Sequence, residues 1–124
     1  MATFGKLALQ QTTMTTGTGL GVLVVATATA GTTIHTASNV ATHIDEIWLY
    51  ANNIHSSTVK LTIEFGGVSV TKDLIEFTVP VTGSGLYLVC PGLLIQGNAT
   101  AKVVRAFAAT ASKIELFGYV NRIE

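Results

Sequence analysis

The residues of this chain with the most chemical potential are three histidines, His35, His43 and His55, and one cysteine, Cys90. A zinc ion needs three or four ligands converging tetrahedrally, and ligand sets usually include a closely spaced pair. The histidines stand 8 and 12 residues apart and Cys90 lies 35 further on, with no carboxylate in a recognisable motif beside them. That spacing predicts solvent-facing or turn histidines and no metal. A Cys90–His dyad would need a thiolate stabilised by a cation or a helix N-terminus. Cys90 instead ends the apolar run Leu86-Tyr87-Leu88-Val89 and precedes Pro91-Gly92, so a buried, inert thiol is expected.

The carboxylates are no more suggestive. Asp45 and Glu46 are adjacent, and on a strand they point to opposite faces. Glu64 and Glu76 could meet in space, but nothing selects them as the spaced pair that glycoside hydrolysis requires. Gly17-Thr18-Gly19-Leu20-Gly21 follows no clear strand and opens no helix that could focus charge on a phosphate. Asn98-Ala99-Thr100 fits the glycosylation acceptor pattern, a match that a chain with 19 threonines produces by chance. No nucleophile, base or metal set converges, so neither an enzyme nor a cofactor is expected.

Composition narrows the classes further. A length of 124 residues supports one domain able to bury a core without staples. Seven basic and seven acidic residues leave no net charge. Without a basic excess there is no means of displacing counterions from phosphates, which argues against a nucleic-acid partner. The apolar run from Leu20 to Ala26 is far shorter than a membrane span needs. Lys6 before it and the Ala26–Ala30 stretch after it imitate a signal peptide, but Gly19 and Gly21 interrupt the pattern. A single cysteine allows no intrachain disulfide. Charged residues make up 11% of the chain, against about 25% in a typical soluble domain. A surface so nearly neutral lacks the repulsion that keeps small domains apart, and association is the expectation.

The elements that would position these residues read as strands. Val59, Leu61, Ile63 and Phe65 alternate with Lys60, Thr62 and Glu64, predicting a strand with one buried and one wet face. Gly66-Gly67 suggests a tight turn into a second strand at Val68-Ser69-Val70-Thr71. In Ile44–Ala51, Ile47, Leu49 and Ala51 share the core side and Glu46, Trp48 and Tyr50 the opposite side. Ile114, Leu116, Gly118 and Val120 alternate with Glu115, Phe117, Tyr119 and Asn121. Further short strands are expected at 86–89, 93–95 and 99–107, with turns at Gly83-Ser84-Gly85, Pro91-Gly92 and Gly97-Asn98. Only 106–112 suggests a helical turn. Seven or eight strands at spacings of roughly 8–12 residues, with no helical connectors, predict an all-β, antiparallel, jelly-roll-like β-sandwich.

Residues 1–33 differ in texture and read as an extended N-terminal arm carrying strands near Lys6–Gln10 and Val22–Ala28, ahead of a core domain at 34–124. Gln11–Gly21 has no core face, so this arm is either flexible or a candidate for strand addition to a neighbour. Trp48 and Tyr50 form one outward aromatic pair and Phe117 and Tyr119 a second, on another face. With Leu7 and Leu9 of the arm they are the expected interface side chains, since aromatic residues are enriched in interface cores. A register shifted by one residue, or an arm folded over them, would equally take them out of water.

The run Ile44–Asn52, then Val59–Ile63, then Leu86–Asn98 resembles small virion proteins of tailed bacteriophages, and 101–106 and 113–120 fit the same pattern. The likeness spans about residues 32–124, although Thr36-Ala37-Ser38-Asn39 stands where such proteins often carry a glycine-bearing turn. It implies a β-sandwich that decorates or cements the capsid, a homo-oligomer such as a trimer bound to the major capsid protein. The implied location is the virion, assembled in the host cytoplasm. A neck, tail or head-fibre component is the alternative within that class, and a lectin-like carbohydrate-binding module the alternative outside it.

Overall fold

The structure, a computed structural model, describes residues 3–11 and 18–124. Among these residues there are nine strands and no helix. They are β1 (Phe4–Ala8), β2 (Val22–Val24), β3 (Thr32–Thr36), β4 (Ile44–Asn53), β5 (Val59–Phe65), β6 (Leu74–Val79), β7 (Tyr87–Gln96), β8 (Val103–Ala108) and β9 (Ile114–Ile123). Two antiparallel sheets face each other. One has the order β1-β9-β4-β7 with β2 also on β9, and the other the order β3-β8-β5-β6. β1 and β2 share one edge of β9, covering Tyr119–Ile123 and Ile114–Leu116 in turn. Counted as one interrupted strand, they turn the pattern into 1-8-3-6 over 2-7-4-5, the strand order of a jelly roll.

Strict alternation builds the core. Along β4 the inward positions Asp45, Ile47, Leu49, Ala51 and Asn53 are buried, and the outward ones are half-buried. Leu61 and Ile63 of β5, Val104, Ala106 and Ala108 of β8, and Ile114, Leu116 and Val120 of β9 close the interior from their own strands. The inward assignments for Ile47, Leu49 and Ala51 and for the Ile114–Val120 series hold.

The arm is woven into the sandwich. Leu9, Val22 and Val24 are core residues, and Thr3 exchanges two backbone hydrogen bonds with Glu124. The described parts of the arm are thus paired within their own chain. The Thr12–Gly17 stretch, with the first glycine of the Gly17–Gly21 motif, lies outside the described residues.

Several local expectations change. Thr62 and Glu64, read as wet, are buried, and at Glu64 residues 29–31 lie against the side chain. Glu64 holds them there, accepting from the Thr29 hydroxyl at 2.8 Å and from the Gly31 amide at 2.7 Å. The partner of β5 is Leu74–Val79, not Val68–Thr71; residues 66–73 form a longer loop in which the Asp73 carboxylate accepts the Ser69 amide. Pro91-Gly92 does not turn the chain. β7 runs through it by placing Val89 and Gly92 as unpaired extra residues, two bulges that let a proline sit in a strand. Residues 106–108 are strand, and only 109–112 form a turn.

Candidate functional site

The outer face of the five-stranded sheet collects the aromatic residues. Because β4 and β9 are neighbours, the two outward pairs expected on separate faces lie on one. Tyr50 stands opposite Phe117 and Trp48 opposite Tyr119. The rows continue across the sheet: Leu88–Tyr50–Phe117, Pro91–Trp48–Tyr119–Ala8, and Leu94–Glu46–Asn121–Lys6. All four aromatic rings are half-buried. Trp48 and Tyr119 are nearly parallel, with ring centroids 6.2 Å apart and planes 13° from one another. Lys6 sits 4.6 Å from the Tyr119 ring centroid, a cation–π contact at the rim.

Glycines give the rings their beds. A Cβ at Gly92 would lie 2.8 Å from the Trp48 indole, and the backbone there has φ +74, so the bulge and the ring contact both need glycine. A Cβ at Gly21 would lie 2.7 Å from the Phe117 ring. The indole is fixed at its polar end, where Nε1 donates to Glu46 Oε1 at 2.7 Å. Asn121 Nδ2 donates to the same oxygen at 2.9 Å. These two bonds, the indole's first, pull the Glu46 carboxyl below its ordinary value.

β7 extends this face to the free edge of the sheet. No residue from Tyr87 to Gln96 is charged, and on this face Leu88 and Leu94 are 44% and 60% exposed. Leu86, just before the strand, is 57% exposed. An uncharged edge strand bearing exposed leucines is what a monomeric domain normally avoids. The other expected contacts fare differently. Leu7 is partly buried against the core, and Leu9, at 3% exposure, is part of it. Leu9 therefore leaves the set of candidate interface residues: its side chain fills the space between the sheets.

Sequence reasoning missed a buried polar cluster. His35, Asp45 and Arg122 lie between the sheets at 0%, 1% and 6% exposure. His35, expected at the surface, is turned inward because β3 bulges between Thr33 and His35. Arg122 grips Asp45 through Nε to Oδ1 at 2.7 Å and Nη2 to Oδ2 at 2.9 Å. His35 Nε2 lies 2.8 Å from Asp45 Oδ2. Burial alone would raise the Asp45 pKa, but the hydrogen bonds from Arg122 and His35 and the Arg122 charge outweigh it and hold the carboxyl at about 2. The signal available beforehand was Asp45 and Arg122 on the inward parity of their strands. The cluster ties both sheets together and is closed to substrate.

His43 bonds the Ser38 hydroxyl at 2.8 Å, and His55 is half-buried, so the three histidines do not converge. Among the described residues no three His, Cys, Asp or Glu side chains gather to hold a metal. A cavity of about 320 Å³ opens at one end of the sandwich beside Phe65, Lys72, Asp73, Leu94 and Lys102. Lys72, Leu94 and Lys102 are exposed, which makes this a surface cleft without the enclosed walls of a small-molecule site.

Cys90 is buried, and its Sγ donates to the Ile47 carbonyl at 3.3 Å. Burial pushes the thiol up to about 11. At pH about 8 its reaction with a maleimide or disulfide reagent should run at least about a hundredfold slower than that of a free cysteine, and reach the free rate only on unfolding. Thiol counting under native and denaturing conditions checks this. Comparison of the chain with protein families, with curated proteins and with solved structures gave no match.

Proposed function

We propose that this chain is a non-enzymatic structural subunit of a tailed-bacteriophage particle, a decoration or cement protein that bridges capsid subunits. The supporting observation is the largely apolar face that Leu88, Pro91 and Leu94 of β7 form with Trp48, Tyr50, Phe117 and Tyr119, with Lys6 and Glu115 towards its margins and Glu46, within it, tied to the Trp48 indole and Asn121. Such a face, at about 25 cal/mol per Å² of apolar area removed from water, rewards contact with a neighbour of equally low charge. Its partners would be the major capsid protein and further copies of the chain, and its place the virion. A neck, tail or head-fibre position would use the same surface.

Jelly rolls occur in viral capsid domains and also in lectins, so the architecture by itself does not choose. One observation favours a lectin-like module as second reading. The Trp48 indole packs closely on Gly92 beside the hydrogen-bonded Glu46–Asn121 pair, a ring with polar neighbours that a sugar could stack on.

Light scattering separates the two. The chain, alone or with capsid protein, should exceed the mass of one 13.0 kDa subunit. The double variant Leu88→Ser/Leu94→Ser should fall to a monomer and no longer occupy particles viewed by electron microscopy. A monomeric wild-type chain that ignores capsids, and binds glycans in a Trp48-dependent way, would replace the first reading with the second.

A further inference from the structure

We propose that His35 is an acid-operated latch on the N-terminal segment: a proton taken up at Nδ1 breaks the tie of Gln10 to the core and frees residues 3–11 from the edge of β9. The contact is specific. The Gln10 backbone N–H donates to His35 Nδ1 at 3.0 Å, and the Gln10 carbonyl accepts from the Thr36 amide. A ring nitrogen that receives a hydrogen carries the lone pair, so the imidazole proton resides on Nε2 and is donated to Asp45 at 2.8 Å.

The surroundings make a second ring proton incompatible with the closed segment. Asp45 faces the ring from β4 and Arg122 stands behind it from β9, and their charges already cancel. The Asp45 carboxylate, which could balance an imidazolium, already has the guanidinium as its counter-ion. Protonation would leave a net positive charge in a cluster almost without solvent access, and would set Nδ1–H against the Gln10 N–H, donor to donor. Departure of Gln10 removes the opposing donor and admits water to the ring.

The rest of the segment can yield. β1 pairs with β9 over five residues at the sheet edge, Phe4 is 66% exposed, and Leu9 is the segment's deepest apolar anchor. The remaining titratable groups stand further off. His43 bonds Ser38 and lies 4.0 Å from Glu124, at the end of β9 where Thr3 is paired, and Lys6 lies over Tyr119.

The test is hydrogen exchange of the Leu9 and Gln10 amides, corrected for intrinsic rates, from about pH 8 to about pH 4.5. The latch predicts an opening constant that rises as the pH falls, by up to about tenfold per unit, the signature of one proton taken up on opening. The Leu49 and Leu116 amides should stay protected. His35→Gln should abolish the pH dependence, and His43→Asn should retain it. A flat opening constant in the wild type, a wild-type response in His35→Gln, or equal loss of protection in the central strands would overturn the proposal. Should His35→Gln fail to fold, nitrogen NMR of the wild-type ring decides. An Nε2–H tautomer whose protonation midpoint matches that of opening supports the latch. An Nδ1–H tautomer, or protonation without opening, sinks it.

Discussion

Asp45→Ala should destabilise the sandwich by about 3–5 kcal/mol, because it strands the Arg122 guanidinium in the interior without its partner. The loss of two charge-assisted hydrogen bonds is only part of that effect. The larger part is desolvation of a cation that can no longer be neutralised. Denaturant unfolding of the wild type and variant, with equal m-values, measures it. The same carboxylate gives an acid limit. Its pKa is about 2 in the folded chain and about 3.9 in the unfolded one, so the folded value is depressed. Its stabilising contribution is complete above about pH 4 and disappears as the pH falls towards about 2. Asp45→Asn should flatten that part of the acid-unfolding curve. A triple replacement of His35, Asp45 and Arg122 by apolar residues of similar volume should be far milder than Asp45→Ala alone, since no buried charge remains.

The second large effect is expected at Gly118. It stands opposite Leu49 in the β4–β9 pairing, and an added Cβ would run into the Trp48 carbonyl oxygen. The obstacle is backbone in the middle of the sheet, so no side chain can swing away. Gly118→Ala should cost at least about 1–3 kcal/mol and displace Trp48 and Tyr119 together. Thermal unfolding reports the first consequence and near-ultraviolet circular dichroism of the aromatic rings the second. A variant with wild-type stability and an unchanged aromatic spectrum would show that β4 and β9 are not held at this spacing.

Both predictions concern positions whose weight is invisible in one dimension. Gly118 reads as a small residue on the inward parity of a strand; its role as the point where two backbones approach depends on which strand lies beside β9. Asp45 and Arg122 read as ordinary charges 77 positions apart, and only the β4–β9 register brings them opposite. His35 was misplaced because its spacing from the other histidines carries no trace of the bulge in β3 that turns it inward. Glu64 was misplaced because a loop from elsewhere in the chain bonds and covers its carboxylate.

The amino-acid order alone determined the class of fold and the inward side of the long strands. Period-two alternation is a local property, set by the geometry of extended backbone, and it survives in β4 and β9 whatever they pair with. It also determined that the aromatic residues of β4 and β9 point outward. Tertiary structure decided that they form one surface, that the exposed leucines of β7 extend it to a free edge, and that the arm's described strands are spent on β9. Strand order, bulges and crossing loops come from contacts between residues far apart in the chain, where the balance of packing and buried charge is struck over the whole sandwich.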